Sequence, residues 1–174
     1  LGLTISIVAV ISGISNTWLF TKVPKFNICV SRRQFKELDH LLKSAVIQGL
    51  FIQVLLSGIF ILGLFIINNY FKGFYNRFLD IKLSMLFLGP QIVQFVITGL
   101  TLYLRAFKKE PLMWLQIINA ILIVTSVGAV LYNGLGLTVL FYTLNIISWF
   151  LLLPIALFVF KKKRLAENSD IIGT

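Results

Sequence analysis

Two glutamines and a threonine occur at helical spacing inside a long apolar segment, and their side chains are well placed to bind a ligand. Gln91 and Gln94 are three residues apart and Thr98 follows four residues later, so all three share one helix face. Amides and hydroxyls in hydrocarbon need hydrogen-bond partners and should face the interior of a helical bundle. There they either hold helices together or line a polar cavity. Pro90 favours a cavity, because a broken helix frees carbonyl groups that a cavity can use.

Two asparagines inside other apolar segments extend this uncharged set. The sequence thus predicts five candidate cavity-lining residues: Gln91, Gln94, Thr98, Asn119 and Asn145. No carboxylate lies within any apolar segment, whereas ion-coupled membrane proteins usually place an acid there. The segments therefore offer no evident site for a coupling ion.

No arrangement of residues predicts an enzyme, a metal site or a cofactor. The single histidine, His40, has no partner cluster, and a solvated surface role explains it. Cys29 is the only cysteine, and no basic neighbour is arranged to activate it. An interfacial membrane enzyme would need acidic or histidine residues together, but Asp80 and His40 are predicted on opposite sides of the membrane.

The elements that position these side chains are long apolar helices. Of the 174 residues 58% are hydrophobic and 13% charged, against about 25% charged in soluble domains. A transmembrane helix needs about 20 apolar residues. Five segments without ionisable groups meet that length, and they predict an all-α integral membrane bundle over residues 1–160: residues 1–20, 45–67, 83–104, 112–132 and 137–160.

Residues 31–44 predict an amphipathic helix on the membrane surface. Ser31 and Gln34 have the spacing of a capping box that would start this helix. Two pairs of opposite charge four residues apart, Arg33 with Glu37 and Asp39 with Lys43, are predicted to stabilise this helix. Residues 161–174 form a basic, polar tail, predicted to be disordered.

The net charge of +10 is sorted by side of the membrane. Thirteen cations lie in residues 22–43, 105–109 and 161–164, and five alternating spans place all of these segments on one side. The positive-inside bias predicts that this side, with the C-terminus, is cytoplasmic. Topology thus accounts for the charge without a nucleic-acid partner. Three of these cations have two explanations, topology with attraction to membrane lipids or binding of a substrate phosphate: Arg105, Lys108 and Lys109.

Two stretches carry a family resemblance. The segment 23–27 (Val-Pro-Lys-Phe-Asn), followed by 36–39 (Lys-Glu-Leu-Asp) leading into a span, resembles the cytoplasmic helix between two spans of polysaccharide flippases in the MATE-like (MOP) superfamily. The stretch from Tyr103 to Pro111 looks like the turn between the fourth and fifth spans of the second bundle in O-antigen and capsule exporters.

The resemblance implies twelve spans in two six-helix bundles, of which this chain supplies the last five as a C-terminal portion or fragment. It also implies a polyprenyl-diphosphate-linked saccharide as substrate, flipped across the bacterial cytoplasmic (inner) membrane during O-antigen or lipopolysaccharide synthesis. A missing N-terminal bundle or a partner chain would complete the transporter. Two alternatives remain open, a MATE-type multidrug exporter of organic cations and a membrane scaffold or assembly subunit that needs a partner chain.

Overall fold

Helices form all of the regular structure in the described part of the chain. The computed structural model describes the backbone of residues 2–70, 73, 77–107 and 112–172, with side chains as far as residue 164. Within these residues, seven α-helices and one π-helical segment follow in order: α1 Gly2–Phe20, α2 Val23–Ser31, α3 Phe35–Tyr70, α4 Ile81–Ala106, α5 Met113–Tyr132, α6 Leu137–Ile146, the π segment Ile147–Leu152 and α7 Leu153–Ile172.

Five helical stretches in the described part of the chain are long and apolar enough to cross a membrane. They are α1 with α2, α3, α4, α5, and α6 through α7 as far as Arg164. The prediction of an all-α, multi-pass membrane protein is thus confirmed at this level. The predicted surface helix and the second span form one continuous helix, α3, whose 36 residues reach about 54 Å. Because the hydrocarbon core is about 30 Å thick, the first turns of α3 extend beyond it.

The turn before α3 differs from the sequence prediction. Ser31 is the last residue of α2, and its hydroxyl donates to the Ile28 carbonyl at 2.8 Å. Arg33 then adopts a left-handed backbone conformation with φ 56°, and α3 begins at Phe35. The capping-box interpretation is therefore wrong, since the Ser31 side chain bonds backward into α2 and leaves the start of α3 uncapped by it.

Helix α4 is the centre of the bundle. It packs against α1, α2, α3, α6, the π segment and α7, whereas α5 packs mainly against α6. A glycine permits the close approach of α3 to α4, because a Cβ at Gly49 would clash with the ring of Phe95. Phe95 is buried and belongs to the main hydrophobic core. The polar face of α4 is therefore held in a fixed relation to α1 and α3.

The three most basic segments meet at one end of the bundle, here called the basic end. The start of α3 and the end of α4 contact each other through stacked rings of Phe35 and Phe107, with centroids 6.0 Å apart. Arg164 of α7 reaches the carboxylate of Asp39. Two crossings separate each of these segments from the next, so they return to the same end, in agreement with the sorting of cations in the sequence.

Candidate functional site

A largely apolar cavity with four polar side chains in its wall lies between α4, α5 and the junction of α6 with the π segment. Its volume is about 370 Å³. Gln91 lies about 15 Å along the helix axis from the first residue of α4, which places the cavity away from both ends of the span. Nine residues line it: Phe87, Pro90, Gln91, Gln94, Asn119, Ile123, Leu144, Ile147 and Ser148. We call it the amide cavity.

The amides of this cavity are partly satisfied by protein. The Gln91 Oε1 accepts a hydrogen bond from the Ser12 hydroxyl of α1 at 3.3 Å. The Gln94 Oε1 accepts a longer one, 3.5 Å, from the Asn119 Nδ2 of α5. Within the described residues the NH₂ groups of both glutamines have no protein partner. They are therefore available to donate to oxygen atoms of a ligand.

Asn145 compensates for a broken backbone hydrogen bond. Pro90 lacks an N–H, so the carbonyl four residues earlier, on Leu86, loses its helical partner. The Asn145 Nδ2 donates to that carbonyl at 2.6 Å and to the Phe141 carbonyl of its own helix at 2.9 Å. A Cβ at Gly89 would clash with the Asn145 Oδ1. Pro90 thus leaves a carbonyl that needs a donor, and Gly89 leaves room for the Asn145 side chain that supplies it.

A second irregular segment faces the cavity from α6. The π segment ends with the Leu153 N–H donating to the Ser148 carbonyl, five residues earlier. Pro154 follows directly and cannot donate to the carbonyl of Phe150. Single π-helical turns of this kind are frequent at functional sites. Two interrupted helices therefore border the same cavity, one at Pro90 and one at Ile147–Leu152.

The structure divides the five sequence candidates by position. Gln91, Gln94 and Asn119 line the cavity. Thr98 is not among its lining residues, and its hydroxyl donates to the Gln94 carbonyl at 2.9 Å within α4. Asn145 also lies outside the lining, where it joins α6 to α4. Two of the five thus have local or helix-joining contacts in place of a cavity position.

The predicted phosphate-binding cations are only partly described. Lys108 and Lys109 lie outside the described residues. Arg105 lines a cleft of about 490 Å³ with apolar residues of α1, α2 and α4, and with Asn27 as a polar neighbour. The structure therefore places Arg105 at the basic end, far from the amide cavity.

A charged and aromatic cluster at the basic end was not predicted. The Tyr103 hydroxyl donates to the Asp39 Oδ1 at 2.8 Å, and Arg164 pairs with the Asp39 Oδ2. The Tyr103 ring packs on Phe107 and Phe160, with centroids 5.5 and 5.2 Å apart. Asp39 therefore bonds to α4 and α7, and its predicted pairing with Lys43 is wrong. We call these residues, with Phe35, the basic-end cluster.

An open pocket of about 640 Å³ adjoins this cluster. We call it the end pocket, and its lining residues come from the turn after α2, the start of α3 and α7: Arg33, Gln34, Phe35, Lys36, Glu37, Asp39 and Arg164. Sequence spacing could not reveal it, because Arg164 is 125 residues from Asp39.

Comparison of the chain with protein-family models, with curated proteins and with solved structures found no match.

Proposed function

We propose that this chain is part of a flippase that moves a saccharide on a polyprenyl diphosphate carrier across the bacterial cytoplasmic membrane. The observation that carries the proposal is the amide cavity. Its polar lining, Gln91, Gln94, Asn119 and Ser148, is uncharged. Amide and hydroxyl groups both donate and accept hydrogen bonds, as a sugar hydroxyl does.

Two interrupted helices beside the cavity support a transport role. In membrane transporters, broken helices occur where irregular backbone lines a substrate cavity, near the middle of the bilayer. Pro90 and the π segment both border this cavity.

A second bundle, from the same protein or a partner chain, would complete the cavity in this proposal. Helix α5 is the least enclosed span, with 11% of its most apolar window buried against 44% for α4. The amide cavity lies between these two helices. A substrate-sized passage therefore needs further helices beside α5, and we expect a MATE-like arrangement of two bundles to supply them.

The test uses cells that lack the protein and carry a plasmid copy of its complete gene. With an inactive copy, the lipid-linked saccharide should accumulate on the cytoplasmic leaflet. We expect Gln91→Leu with Gln94→Leu to reduce export at least tenfold, since each lost hydrogen bond to substrate is worth about 1 kcal/mol and the buried polar partner is left unpaired.

Gln48→Leu is the matched control, because Gln48 is an exposed amide of α3 outside the cavity. It should leave export unchanged. Normal export by cells without the protein would refute the proposal. Resistance to cationic dyes, lost in the double variant, would instead indicate a multidrug exporter.

A further inference from the structure

The end pocket combines a cavity with cations from three separate segments. Arg33 lies in the turn after α2, Lys36 in the first turn of α3, and Arg164 near the end of the described side chains of α7. Its volume of about 640 Å³ exceeds that of the amide cavity. The proposed transport reaction does not use this pocket. The pocket lies at the basic end, whereas the Leu79 N–H donates to the Thr4 hydroxyl at the other end of the bundle.

The charges that line the pocket leave a net attraction for anions. Three cations stand against two carboxylates, those of Glu37 and Asp39. The Asp39 carboxylate is already bonded to Arg164 and to the Tyr103 hydroxyl. In the described part of the chain Arg33 and Lys36 have no such partner. An anion in the pocket would therefore meet two uncompensated cations and one acid, Glu37.

The backbone and the aromatic packing give the pocket a defined shape. Arg33 is held in a left-handed conformation with φ 56°, and its N–H donates to the Val30 carbonyl at 3.0 Å. Phe35, which also lines the pocket, stacks on Phe107. Arg164 is brought to the pocket by its pairing with Asp39. The pocket thus presents charged groups beside an apolar surface, which suits a ligand with a phosphate and an attached carbon skeleton.

We expect the end pocket to lie in the headgroup layer of a membrane. Helix α3 is about 24 Å longer than the hydrocarbon core, and the pocket includes its first residues. Guanidinium groups bind phosphate with two parallel hydrogen bonds, and lysine adds a compact charge. Anionic leaflets attract such groups, but a surface attraction alone would not distinguish pocket cations from their exposed neighbours.

We propose that the end pocket binds a phosphate group, that of an anionic lipid headgroup or of a soluble phosphate ester, through Arg33, Lys36 and Arg164. The bound phosphate holds the turn after α2 against α7 and so strengthens the basic-end cluster. This inference does not depend on the substrate of the transporter.

The experiment measures the melting temperature of the purified protein in neutral detergent. Phosphatidylglycerol, phosphatidylcholine, inorganic phosphate and glycerol 3-phosphate are titrated separately. The pocket variant carries Arg33→Gln and Lys36→Gln. The control carries Arg32→Gln and Lys43→Gln, which remove equal charge from exposed residues outside the pocket.

We expect phosphatidylglycerol to stabilise the wild type and the control alike. Its apparent affinity should fall about tenfold or more in the pocket variant, because hydrogen bonds to two charged groups are lost. Phosphatidylcholine should not distinguish the three proteins. Protection by the lipid alone identifies a headgroup, whereas equal protection by inorganic phosphate or glycerol 3-phosphate identifies a soluble source, and both outcomes support the site.

Equal loss of phosphatidylglycerol affinity in the pocket and control variants would overturn the proposal, since general surface charge would then explain binding. Absence of any response to the four compounds would also overturn it. If the pocket variant melts early without ligand, Lys36→Gln is compared with Lys43→Gln in the same titration, because both lysines are exposed.

Discussion

The contact of α4 with α6 and the basic-end cluster satisfy polar groups in two different ways. In the middle of the bundle, the Asn145 amide donates to the Leu86 carbonyl that Pro90 leaves free. At the basic end, Arg164 and Asp39 pair while 44% and 31% of their side-chain surfaces remain exposed. Water can replace a partner at the end but not in hydrocarbon. Similar-looking contacts should therefore differ in what their removal costs.

The difference also separates fixed from adjustable parts of the molecule. The central contact depends on three residues together. Pro90 leaves the Leu86 carbonyl free, Asn145 donates to that carbonyl, and Gly89 leaves room for the Asn145 side chain. The basic-end cluster uses long side chains around one carboxylate, which can rearrange. We therefore expect the centre to determine the geometry of the amide cavity, and the end to tune its stability according to salt and bound anions.

Substitution of Gly89 by alanine should have the largest effect. A Cβ at this position would clash with the Asn145 Oδ1, so the asparagine must move and lose its bond to Leu86. Overpacking and the unsatisfied carbonyl together should lower the free energy of unfolding by about 2–3 kcal/mol. Steric trapping or denaturant unfolding in detergent micelles measures this loss.

Gly58→Ala and Gly128→Ala are matched controls for Gly89→Ala. A Cβ at either position meets no atom within 4 Å. Both should be neutral or slightly stabilising, because alanine is the better helix former. If the three substitutions behave alike, the central contact is not sterically constrained and the comparison between the two regions fails.

Asn145→Ala should destabilise less, and its effect should depend on Pro90. The variant leaves the Leu86 carbonyl without its donor, and interhelical hydrogen bonds in membranes contribute about 0.6–1.7 kcal/mol. In a Pro90→Ala background, the new N–H of residue 90 can bond to Leu86 within α4. The cost of Asn145→Ala should then fall to less than half, as a double-mutant cycle of unfolding free energies would show.

An additive cycle would contradict this explanation, since Asn145 would then stabilise the fold by some contact that does not involve the broken helix. Pro154→Ala is a useful control in the same cycle. It alters the helix after the π segment without touching Leu86, so its effect should add to that of Asn145→Ala.

Asp39→Asn should have a smaller and salt-dependent effect. The variant removes the ion pair with Arg164 but leaves a polar oxygen for the Tyr103 hydroxyl. Exposed ion pairs contribute about 0–1 kcal/mol, so the loss should stay below that of Asn145→Ala. Unfolding at low and high salt distinguishes the regions, because salt screens the pair at the basic end and should leave the Asn145 effect unchanged. A salt-independent loss above 2 kcal/mol would place Asp39 among dry, central contacts instead.

The helices could be predicted from the sequence more fully than the contacts between them. The apolar runs predict five spans, because the length and hydrophobicity that a helix needs to cross the bilayer are local properties of the sequence. The Ser31 capping box failed because the same residue can equally bond backward into a preceding helix. The partner of Asp39 could not be found because the chain crosses four times, through α3, α4, α5 and α6 with α7, before Arg164 comes next to it.

At the amide cavity, too, the sequence indicates which group needs a partner but not which residue supplies it. Proline at position 90 signals that the Leu86 carbonyl needs a donor, and this could have been read from the sequence. Which amide supplies that donor could not, since Asn119 and Asn145 both lie inside apolar segments. Only the packing of α4 against α6, through Gly89, assigns Asn145 to the backbone and leaves Asn119 at the cavity wall.

Asn119→Ala should have the smallest effect on stability, and so it tests whether this amide joins helices or lines the cavity. Its bond to Gln94 is 3.5 Å long, at the limit of hydrogen-bond distance, and its side chain is half-buried. We expect a loss below about 0.5 kcal/mol in unfolding free energy. Asn133→Ala is the control, because Asn133 is exposed and bonds only within α5.

Thiol labelling extends this test to the cavity itself. Asn119→Cys should react with a small maleimide faster than Val124→Cys, whose exposed position on α5 faces away from the cavity lining, because a thiolate forms in water and not in lipid. The native Cys29 is buried and gives a low background. A large stability loss in Asn119→Ala, together with equal labelling at the two positions, would show that Asn119 holds α5 against α4. Asn119 would then be a structural residue, and the case for a substrate cavity would rest on the remaining polar lining residues, Gln91, Gln94 and Ser148.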